Sequence, residues 1–325
     1  MLAFYCMGEF ELIEKYFKVP HARKDVVMGP GDDCALLTLP ADTILAVSTD
    51  TLVSGVHFFP DMDPVDLGYK ALAVNLSDLA AMGAEPRWVS LALTLPAVNE
   101  AWVAGFAEGF LELAEYYNVA LVGGDMTRGP LSITVSVKGS VPTGRALMRS
   151  GARVGDGIYV TGTLGDAALA LSHLLGKRTL NENQLAAVLP RLDHPHPRIL
   201  AGQALRGLAS SALDLSDGLA SDLGHILKAS GVRAQIDLDL LPLSPVLQDA
   251  VPARDAWQLA LAGGDDYELC FTVPQEHHGA LDTALANCGV RFTRIGRIQA
   301  GDPGIDYVQG EQPVELHLKG WDHFA

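Results

Sequence analysis

The sequence predicts a two-domain protein of the α/β (α+β) class. Its 325 residues exceed the roughly 150 of a typical single domain. Apolar residues make up 49% of the chain, which is enough to form well-buried cores. Strand-like and helix-like segments alternate along the first ~140 residues, as they do where helices pack on a sheet. A predominantly disordered chain is therefore excluded.

The predicted N-terminal domain comprises residues 1–145. Apolar residues at helical spacing predict a first amphipathic helix over 10–17. Asp63 is a typical N-cap, Pro64 suits the first helical position and Gly83 suits the end, so a mostly apolar, buried helix is expected over 64–82. The remaining expected elements are strands over 44–49, 88–95, 119–122 and 131–141, and a helix over 99–117.

The predicted C-terminal domain comprises residues 146–325. The turn Pro142-Thr143-Gly144 and a basic stretch containing Arg145, Arg149 and Arg153 separate it from the first domain. Strands are expected over 158–161, at 213–214 and over 267–273, with helices beginning at Asp166 and after Asp217.

Charge and cysteine content restrict the functional classes. The chain has 23 Lys and Arg against 39 Asp and Glu, a formal net charge of −16, which argues against nucleic acids or anionic membranes as partners. No apolar run reaches the ~18 residues of a membrane-spanning helix, and the first residues lack the features of a signal peptide. The four cysteines form no CxxC pair, so reduced thiols and a cytoplasmic location are expected.

Several catalytic motifs are missing from the sequence. It contains no GxxxxGK[ST] phosphate loop, no GxGxxG after a strand, no HExxH and no GxSxG elbow. P-loop enzymes, dinucleotide-dependent dehydrogenases, HExxH metalloproteases and serine hydrolases of the elbow type are therefore not supported.

Aspartates beside glycine or hydroxyl residues recur at the edges of apolar segments. Carboxylates suit Mg²⁺, and glycine lets the backbone approach phosphate groups closely. Taken singly, each segment is also typical of a turn or helix cap. These segments are Gly31-Asp32-Asp33, Ser48-Thr49-Asp50, Ser77-Asp78, Gly123-Gly124-Asp125, Asp214-Leu215-Ser216-Asp217-Gly218 and Gly263-Gly264-Asp265-Asp266.

Asp78 differs from the others because it lies inside the apolar helix, one turn after Asn75. A buried carboxylate without a partner costs ~3 kcal/mol or more, so a metal ion, a cation or a cavity is expected beside it.

Three further side chains have both a functional and a structural interpretation. His57 could contact a ligand after the strand that ends near Asp50, or be an ordinary loop histidine. Arg149 could bind a phosphate in bidentate fashion, or belong to a solvated linker. Trp321 could stack on a cationic or heteroaromatic ligand, or simply pack at the C-terminus.

Taken together, these motifs resemble those of the thiamine-monophosphate kinases. The resemblance rests on Gly-Asp-Asp-Cys-Ala at 31–35, Ser-Thr-Asp-Thr-Leu-Val at 48–53, Asn-Leu-Ser-Asp-Leu-Ala-Ala-Met-Gly-Ala at 75–84, Gly-Gly-Asp at 123–125, Asp-Leu-Ser-Asp-Gly-Leu at 214–219 and Gly-Gly-Asp-Asp-Tyr-Glu-Leu at 263–269. It implies the fold of the aminoimidazole ribonucleotide synthetase superfamily, with two α/β domains and a homodimer formed through the N-terminal sheets.

The resemblance also implies a reaction: ATP transfers its γ-phosphoryl group to thiamine phosphate, with several Mg²⁺ ions bound and a requirement for K⁺ left open. The metal ligands would be Asp33, Ser48, Thr49, Asp50, Asp78, Asp125, Asp214 and Asp217. ATP would be bound by Gly124, Asp125, Arg149 and Ser216, and thiamine phosphate by His57, Asp265 and Trp321. Catalysis would depend on Asp50, Asp78, Asp125 and Arg149. Asp265 departs from the family pattern, in which glutamate is frequent at this position.

Two kinds of alternative remain open at this point. One is another ATP-using member of the superfamily, such as the purine-biosynthetic synthetase; the Asp-Asp-Tyr-Glu segment and the Gly-Trp-Asp-His-Phe ending favour the kinase. The other is a non-catalytic protein in which the same aspartates only hold a nucleotide or a divalent metal.

Overall fold

The computed structural model describes residues 8–18, 21 and 23–318. Contacts between residues divide them into two units. The first contains the described residues up to Leu79 together with Glu85–Thr143, and the second contains Ala80–Ala84 and the described residues from Gly144 onward. The α/β (α+β) class is confirmed, since helices and mixed sheets occur in both units.

The elements of the first unit begin with a short helix that continues into a π-helical turn, Ile13–Phe17. In chain order the helices and strands are α1 (Glu9–Leu12), β1 (Val26–Met28), β2 (Leu36–Leu37), β3 (Thr43–Val53), α2 (Pro64–Ala81), β4 (Glu85–Leu95), α3 (Glu100–Tyr116), β5 (Ala120–Arg128) and β6 (Ser132–Pro142).

A four-stranded sheet in the order β3-β6-β4-β5 forms the centre of this unit. β4 and β5 run parallel, while β6 is antiparallel to both β3 and β4. Helices α2 and α3 approach each other at two glycines. A Cβ atom on Gly68 would lie 2.1 Å from the Phe106 carbonyl oxygen, and one on Gly109 would lie 1.9 Å from that of Val65. The missing side chains therefore allow backbone contact between the helices.

Asp25, just before β1, forms ion pairs with two arginines. The Arg23 Nη2–Asp25 Oδ2 distance is 2.5 Å and the Arg87 Nη1–Asp25 Oδ2 distance is 2.8 Å. Burial acts to raise the pKa of Asp25, but hydrogen bonds from the two guanidinium groups outweigh it and lower that pKa to about 2. Because Arg87 belongs to β4, the pair ties the β1 segment to the sheet.

The second unit contains the remaining elements. They are β7 (Gly157–Thr161), α4 (Asp166–Leu174), α5 (Glu182–Asp193), α6 (Ile199–Leu205), β8 (Ser211–Asp214), α7 (Leu219–Ser230), β9 (Arg233–Asp237), α8 (Pro245–Ala250), α9 (Ala253–Ala262), β10 (Leu269–Val273), α10 (His278–Leu285), β11 (Phe292–Gln299), β12 (Ile305–Gln309) and β13 (Gln312–Pro313).

Its seven-stranded sheet has the order β13-β12-β9-β11-β7-β10-β8. The β9–β12 pair is parallel, and the other pairs are antiparallel. Every residue of β7, β8 and β10 is buried, as expected for strands with both faces covered. The carboxyl end of β8 leads directly into the predicted site sequence 214–217.

Two strands extend further than the sequence predicts. β3 continues through Ser48-Thr49-Asp50 to Val53, and β5 continues through Gly123-Gly124-Asp125 to Arg128. The expected ends at 49 and 122 were wrong, because polar residues on an exposed strand face resemble the start of a loop. The other helices and strands expected in the first unit are present within about three residues of the predicted ends. None of the helices in the described part of the chain is sufficiently long and apolar to cross a membrane.

Candidate active site

In the first unit, a carboxylate pair forms between β3 and α2. Ser48 and Asp50 lie on β3, and Asn75 and Asp78 lie on α2. The Ser48 hydroxyl donates to Asp78 Oδ2 over 2.5 Å, and the Asp50 amide donates to Asn75 Oδ1 over 3.1 Å. Asn75 is held in turn by its own donation to the Ala71 carbonyl over 2.9 Å. These contacts bring the two predicted metal ligands Asp50 and Asp78 together.

The electrostatics of the pair disfavour two negative charges. Burial of the carboxyl group is the main cause that raises the pKa of Asp50 to about 6, and the charge of Asp78 and a hydrogen bond to it add to the effect. A cation between the two carboxylates would remove the repulsion. Hard oxygen donors of this kind are those that Mg²⁺ prefers, so the residues present fit that ion.

Asp125 lies at the opposite edge of the same sheet. Strand register aligns Asp50 with Val135 of β6, Val135 with Leu91 of β4, and Leu91 with Gly124 of β5. Three strand spacings separate the two sites, which corresponds to ~14 Å. One copy of this sheet therefore does not bring Asp50 and Asp125 to a single ion.

Gly124 has a structural reason to be glycine. A Cβ atom at this position would lie 1.7 Å from the Leu91 carbonyl oxygen on the neighbouring strand. The absence of a side chain is thus required by the approach of β4 and β5, whether or not ATP is bound there. Thr49, on β3, donates from Oγ1 to the Ser136 hydroxyl on β6 over 2.9 Å.

Two other predicted residues of this unit lie in turns. Asp33 is exposed between β1 and β2, and its amide donates to the Asp32 carboxylate over 2.8 Å. His57 follows β3, where its Nδ1 accepts the Val53 amide over 3.0 Å. In the neutral ring this contact places the proton on Nε2.

In the second unit, the loop after β8 carries a further set of predicted residues. Asp214 ends β8 and is almost fully buried, while Ser216 and Asp217 precede α7. The Asp217 amide donates to Asp222 Oδ2 on α7 over 3.0 Å. Burial raises the pKa of Asp222 to about 7, and the nearby charge of Arg149 acts in the opposite direction. Arg149 is therefore close to this loop, as a phosphate-binding arginine would need to be.

Asp222 was not among the predicted site residues. Its only signal in the sequence is an acidic residue in the first turn after Gly218, which is also the ordinary pattern of a helix start. In the structure the Asp222 carboxylate instead accepts the backbone amide of Asp217, next to Ser216, the predicted ATP contact.

Asp265 is also beside this loop. Its amide donates to the Ser216 carbonyl over 2.9 Å, and the Tyr267 amide donates to the Leu215 carbonyl over 2.8 Å. The predicted residues Asp214, Ser216, Asp217 and Asp265 thus gather at the carboxyl end of β8. Trp321, the third residue predicted to contact thiamine phosphate, lies outside the described residues.

The sequence analysis did not predict a buried ionic cluster around Glu268, the residue directly before β10. Glu268 is 1% exposed and accepts hydrogen bonds from Arg198 Nε over 2.7 Å, Arg191 Nη2 over 2.9 Å and the Thr161 hydroxyl over 2.6 Å. A glutamate directly before an apolar strand was the available signal, but its partners are 70 to 107 residues away in the chain.

Within the described ranges, no group of three or more His, Cys, Asp and Glu side chains is arranged to hold a metal ion on its own. The Asp50–Asp78 pair supplies two carboxylates, so phosphate oxygens and water would have to complete an octahedral Mg²⁺ site. A site that uses the substrate as a ligand matches the usual way in which proteins bind Mg²⁺ with nucleotides.

Comparisons with known proteins show which family the chain is similar to. Residues 31–141 match the family model described as AIR synthase related protein, N-terminal domain, and residues 153–308 match the corresponding C-terminal domain. The thiamine-monophosphate kinase of Escherichia coli (strain K12) is 57% identical over 320 residues, which cover 98% of both chains.

Solved structures give the same result. The thiamine-monophosphate kinase of Stenotrophomonas maltophilia K279a is 47% identical and superposes with a TM-score of 0.83, covering 88% of this chain and 92% of that one. AaThiL complexed with AMPPCP and TMP is 33% identical, with a TM-score of 0.77 and coverage of 98% and 97%.

Proposed function

The chain belongs to the thiamine-monophosphate kinase family, and from this premise we propose how its residues convert thiamine phosphate to thiamine diphosphate. It is an ATP-dependent kinase, a phosphotransferase whose acceptor is itself a phosphate group. The observation that carries the proposed mechanism is the Asp50–Asp78 pair, two carboxylates held between β3 and α2, where burial and then their proximity to each other disfavour full ionisation.

Mg²⁺ is the cation that this pair suits. The hard oxygen ligands that Mg²⁺ prefers are offered here by Asp50, Asp78 and the Ser48 hydroxyl. Thr49, between Ser48 and Asp50 in β3, is also a proposed ligand. When bound, the ion would neutralise the charge that accumulates on phosphate oxygens during transfer. Asp33, Asp125, Asp214 and Asp217 are proposed as ligands of further Mg²⁺ ions.

The proposed ATP contacts are Arg149, Ser216, Gly124 and Asp125. In the second unit, Ser216 and Arg149 border the loop that Asp222 holds, and the Arg149 guanidinium can bind a phosphate group through two parallel hydrogen bonds. In the first unit, Gly124 and Asp125 are the proposed contacts. Arg149 would also stabilise the charge of the transferred group, which is the role of arginine in many phosphoryl transfers.

Thiamine phosphate would be bound by His57, Asp265 and Trp321. Its phosphate group needs no general base, because phosphate monoesters have a second pKa of about 6 and are mostly ionised at neutral pH. The attacking oxygen is therefore already a nucleophile. The protein has to position it in line with the bond that breaks and to reduce the repulsion between two anions.

A homodimer is proposed for the assembled enzyme. β3 pairs with β6 along all 11 of its residues, while its other edge has no strand partner among the described residues. Ile44, Leu45 and Val47 are exposed on this strand. A long edge strand with apolar side chains is a favourable surface for a second copy of the chain. Sedimentation equilibrium tests this, since a monomer at micromolar concentration would contradict the proposal.

A cytoplasmic location is proposed as well. ATP is an intracellular substrate, and Cys34, Cys270 and Cys288 are free thiols.

The activity is tested by following ADP release from the purified protein with ATP and Mg²⁺. Thiamine phosphate should drive equal formation of ADP and thiamine diphosphate, while unphosphorylated thiamine and an aminoimidazole precursor should not. Release of ADP with the aminoimidazole precursor alone would instead assign the chain to the synthetase activity of the superfamily. Binding of ATP without ADP release under any of these conditions would indicate a non-catalytic protein.

A further inference from the structure

The segment Gly263–Glu268, which joins α9 to β10, contains two residues in an unusual backbone conformation. Asp265 has φ = 67° and Tyr267 has φ = 47°, both in the left-handed region that residues with a side chain rarely adopt. Such conformations persist where the surroundings impose them, and they concentrate at functional sites. The two left-handed residues, one on each side of Asp266, must therefore be held by contacts with the surrounding structure.

Backbone hydrogen bonds provide part of the restraint. Three of them link the segment to Leu215 and Ser216: two donated by the amides of Asp265 and Tyr267, as described above, and a third from the Leu215 amide to the Glu268 carbonyl over 2.9 Å. The segment thus extends the pairing of β8 and β10 in an irregular form up to the predicted ATP-binding loop.

The side chains of Asp266 and Glu268 provide the rest. Both oxygens of the Asp266 carboxyl accept the Gly165 amide, over 2.9 and 3.1 Å. Glu268 accepts hydrogen bonds from Arg191, Arg198 and Thr161, which come from three different places in the sequence. Asp265, which precedes Asp266, and Tyr267, which lies between Asp266 and Glu268, keep partly exposed side chains.

We propose that Asp266 and Glu268 are positioning residues of the kinase: their anchored carboxyl groups impose the left-handed conformations of Asp265 and Tyr267 and so orient these two side chains toward thiamine phosphate. This inference rests on the proposed function, in which Asp265 contacts that substrate. It adds Tyr267 as a second contact and gives Asp266 and Glu268 a role in the site.

The chemistry of the buried cluster around Glu268 favours a positioning role rather than a purely stabilising one. A buried ion cluster contributes little to stability compared with apolar side chains of similar volume, because desolvation offsets the attraction between the charges. A carboxylate that accepts from two guanidinium groups and a hydroxyl has, however, a well-defined orientation. What Glu268 contributes is therefore the geometry of the backbone on either side of it.

The same structure predicts that the two substrates respond differently. Besides its backbone bonds to the segment, the loop 214–217 has an anchor of its own, because the Asp217 amide is held by Asp222 on α7. Loosening the segment at Glu268 should thus displace Asp265 and Tyr267 more than Ser216. The expected consequence is weaker use of thiamine phosphate with nearly unchanged use of ATP.

The test compares Glu268→Gln with Asp156→Asn in the full-length enzyme. Asp156 is a matched control because it is also a buried carboxylate that accepts hydrogen bonds, from the Arg153 amide over 2.9 Å and the Ser210 hydroxyl over 2.5 Å. It directly precedes β7, whereas Thr161, a partner of Glu268, lies at the other end of that strand. Glu268→Gln should raise the KM for thiamine phosphate about tenfold or more while the KM for ATP stays within about twofold. Asp156→Asn should leave both KM values unchanged and alter only the melting temperature.

If Glu268→Gln does not fold, Asp266→Ala replaces it with the same expected split of KM values, since it removes the acceptor of the Gly165 amide. A lower melting temperature with both KM values unchanged would show that the cluster is only structural and would overturn the inference. An equal rise of both KM values would also overturn it. If the wild-type enzyme fails to turn over thiamine phosphate, the proposed function falls and the inference falls with it, whereas failure of the variants alone refutes only the inference.

Discussion

Replacing Asp50 by Asn should stabilise the metal-free protein at neutral pH. The pKa of Asp50 is about 6 in the folded protein against an ordinary value of 3.8. This difference of about 2 units corresponds to ~3 kcal/mol if solvent did not screen the charges. Asp50 lies on the face of β3 that also carries Ser48, where its carboxyl group is partly desolvated, but the residue as a whole is still exposed to solvent. Screening therefore reduces the effect to about 1–2 kcal/mol. The melting temperature should then rise by about 4 °C.

The sign of the pH dependence follows from the direction of this shift. Below pH ~3.8 the carboxyl group is protonated in both the folded and the unfolded chain, so wild type and Asp50→Asn should have the same stability. As the pH rises through about 6, the folded wild type must ionise beside Asp78 and loses stability, whereas the variant does not. The difference should be complete above pH ~7.

The assay is thermal unfolding in the presence of a chelator at pH 4 and pH 7.5. Asp61→Asn is the control, because Asp61 is an exposed loop carboxylate of the same unit. Adding Mg²⁺ with a non-hydrolysable ATP analogue should stabilise the wild type and have little effect on Asp50→Asn. A melting temperature of Asp50→Asn at or below that of the wild type at pH 7.5, or an equal rise for Asp61→Asn, would contradict the effect of the buried charge.

Four other variants test separate parts of the account. Asp78→Asn should lower kcat by about 10²-fold or more while the protein stays folded, and near-normal turnover would remove Asp78 from the proposed ligands. Asp222→Ala removes the acceptor of the Asp217 amide, so steady-state kinetics should give a KM for ATP about tenfold higher and a KM for thiamine phosphate within about twofold of wild type. Asp25→Asn should lower the melting temperature at pH 7. Because its folded pKa is lowered to about 2, this deficit should shrink as the pH falls from 3.8 toward 2, and a constant deficit would contradict the ion-pair explanation. Trp321→Ala should raise the KM for thiamine phosphate far more than that for ATP, and equal effects would exclude stacking.

Much of the fold could be predicted from local signals. Pro64 begins α2 as expected, and Asn99 caps α3 by accepting the Trp102 amide over 3.2 Å. Each of these signals depends on only a few neighbouring residues. The polar segments of β3 and β5 could not be read in the same way, because their length is set by strand partners that are distant in the sequence.

The candidate site likewise has residues with a local sequence signal and residues whose role depends on distant parts of the chain. Aspartate-rich segments predicted Asp50 and Asp78 as site residues, and the structure brings these two together. The apolar context of Asp78 already required a partner for its carboxylate. The left-handed conformations of Asp265 and Tyr267 have no local signal, since these residues usually have negative φ. Glu268 could not be assigned either, because its role depends on arginines and a threonine that only the folded chain brings together.

In the proposed mechanism the phosphoryl group passes directly from ATP to thiamine phosphate. The aspartates proposed as metal ligands and Arg149 would supply charge stabilisation, and no protein nucleophile would take part. A rapid-quench experiment with excess enzyme and ATP labelled in the γ-phosphate tests it most directly. The account predicts that label moves from ATP to thiamine diphosphate in one phase and that the denatured protein carries none. Label that first accumulates on the protein and then decays as thiamine diphosphate forms would contradict it.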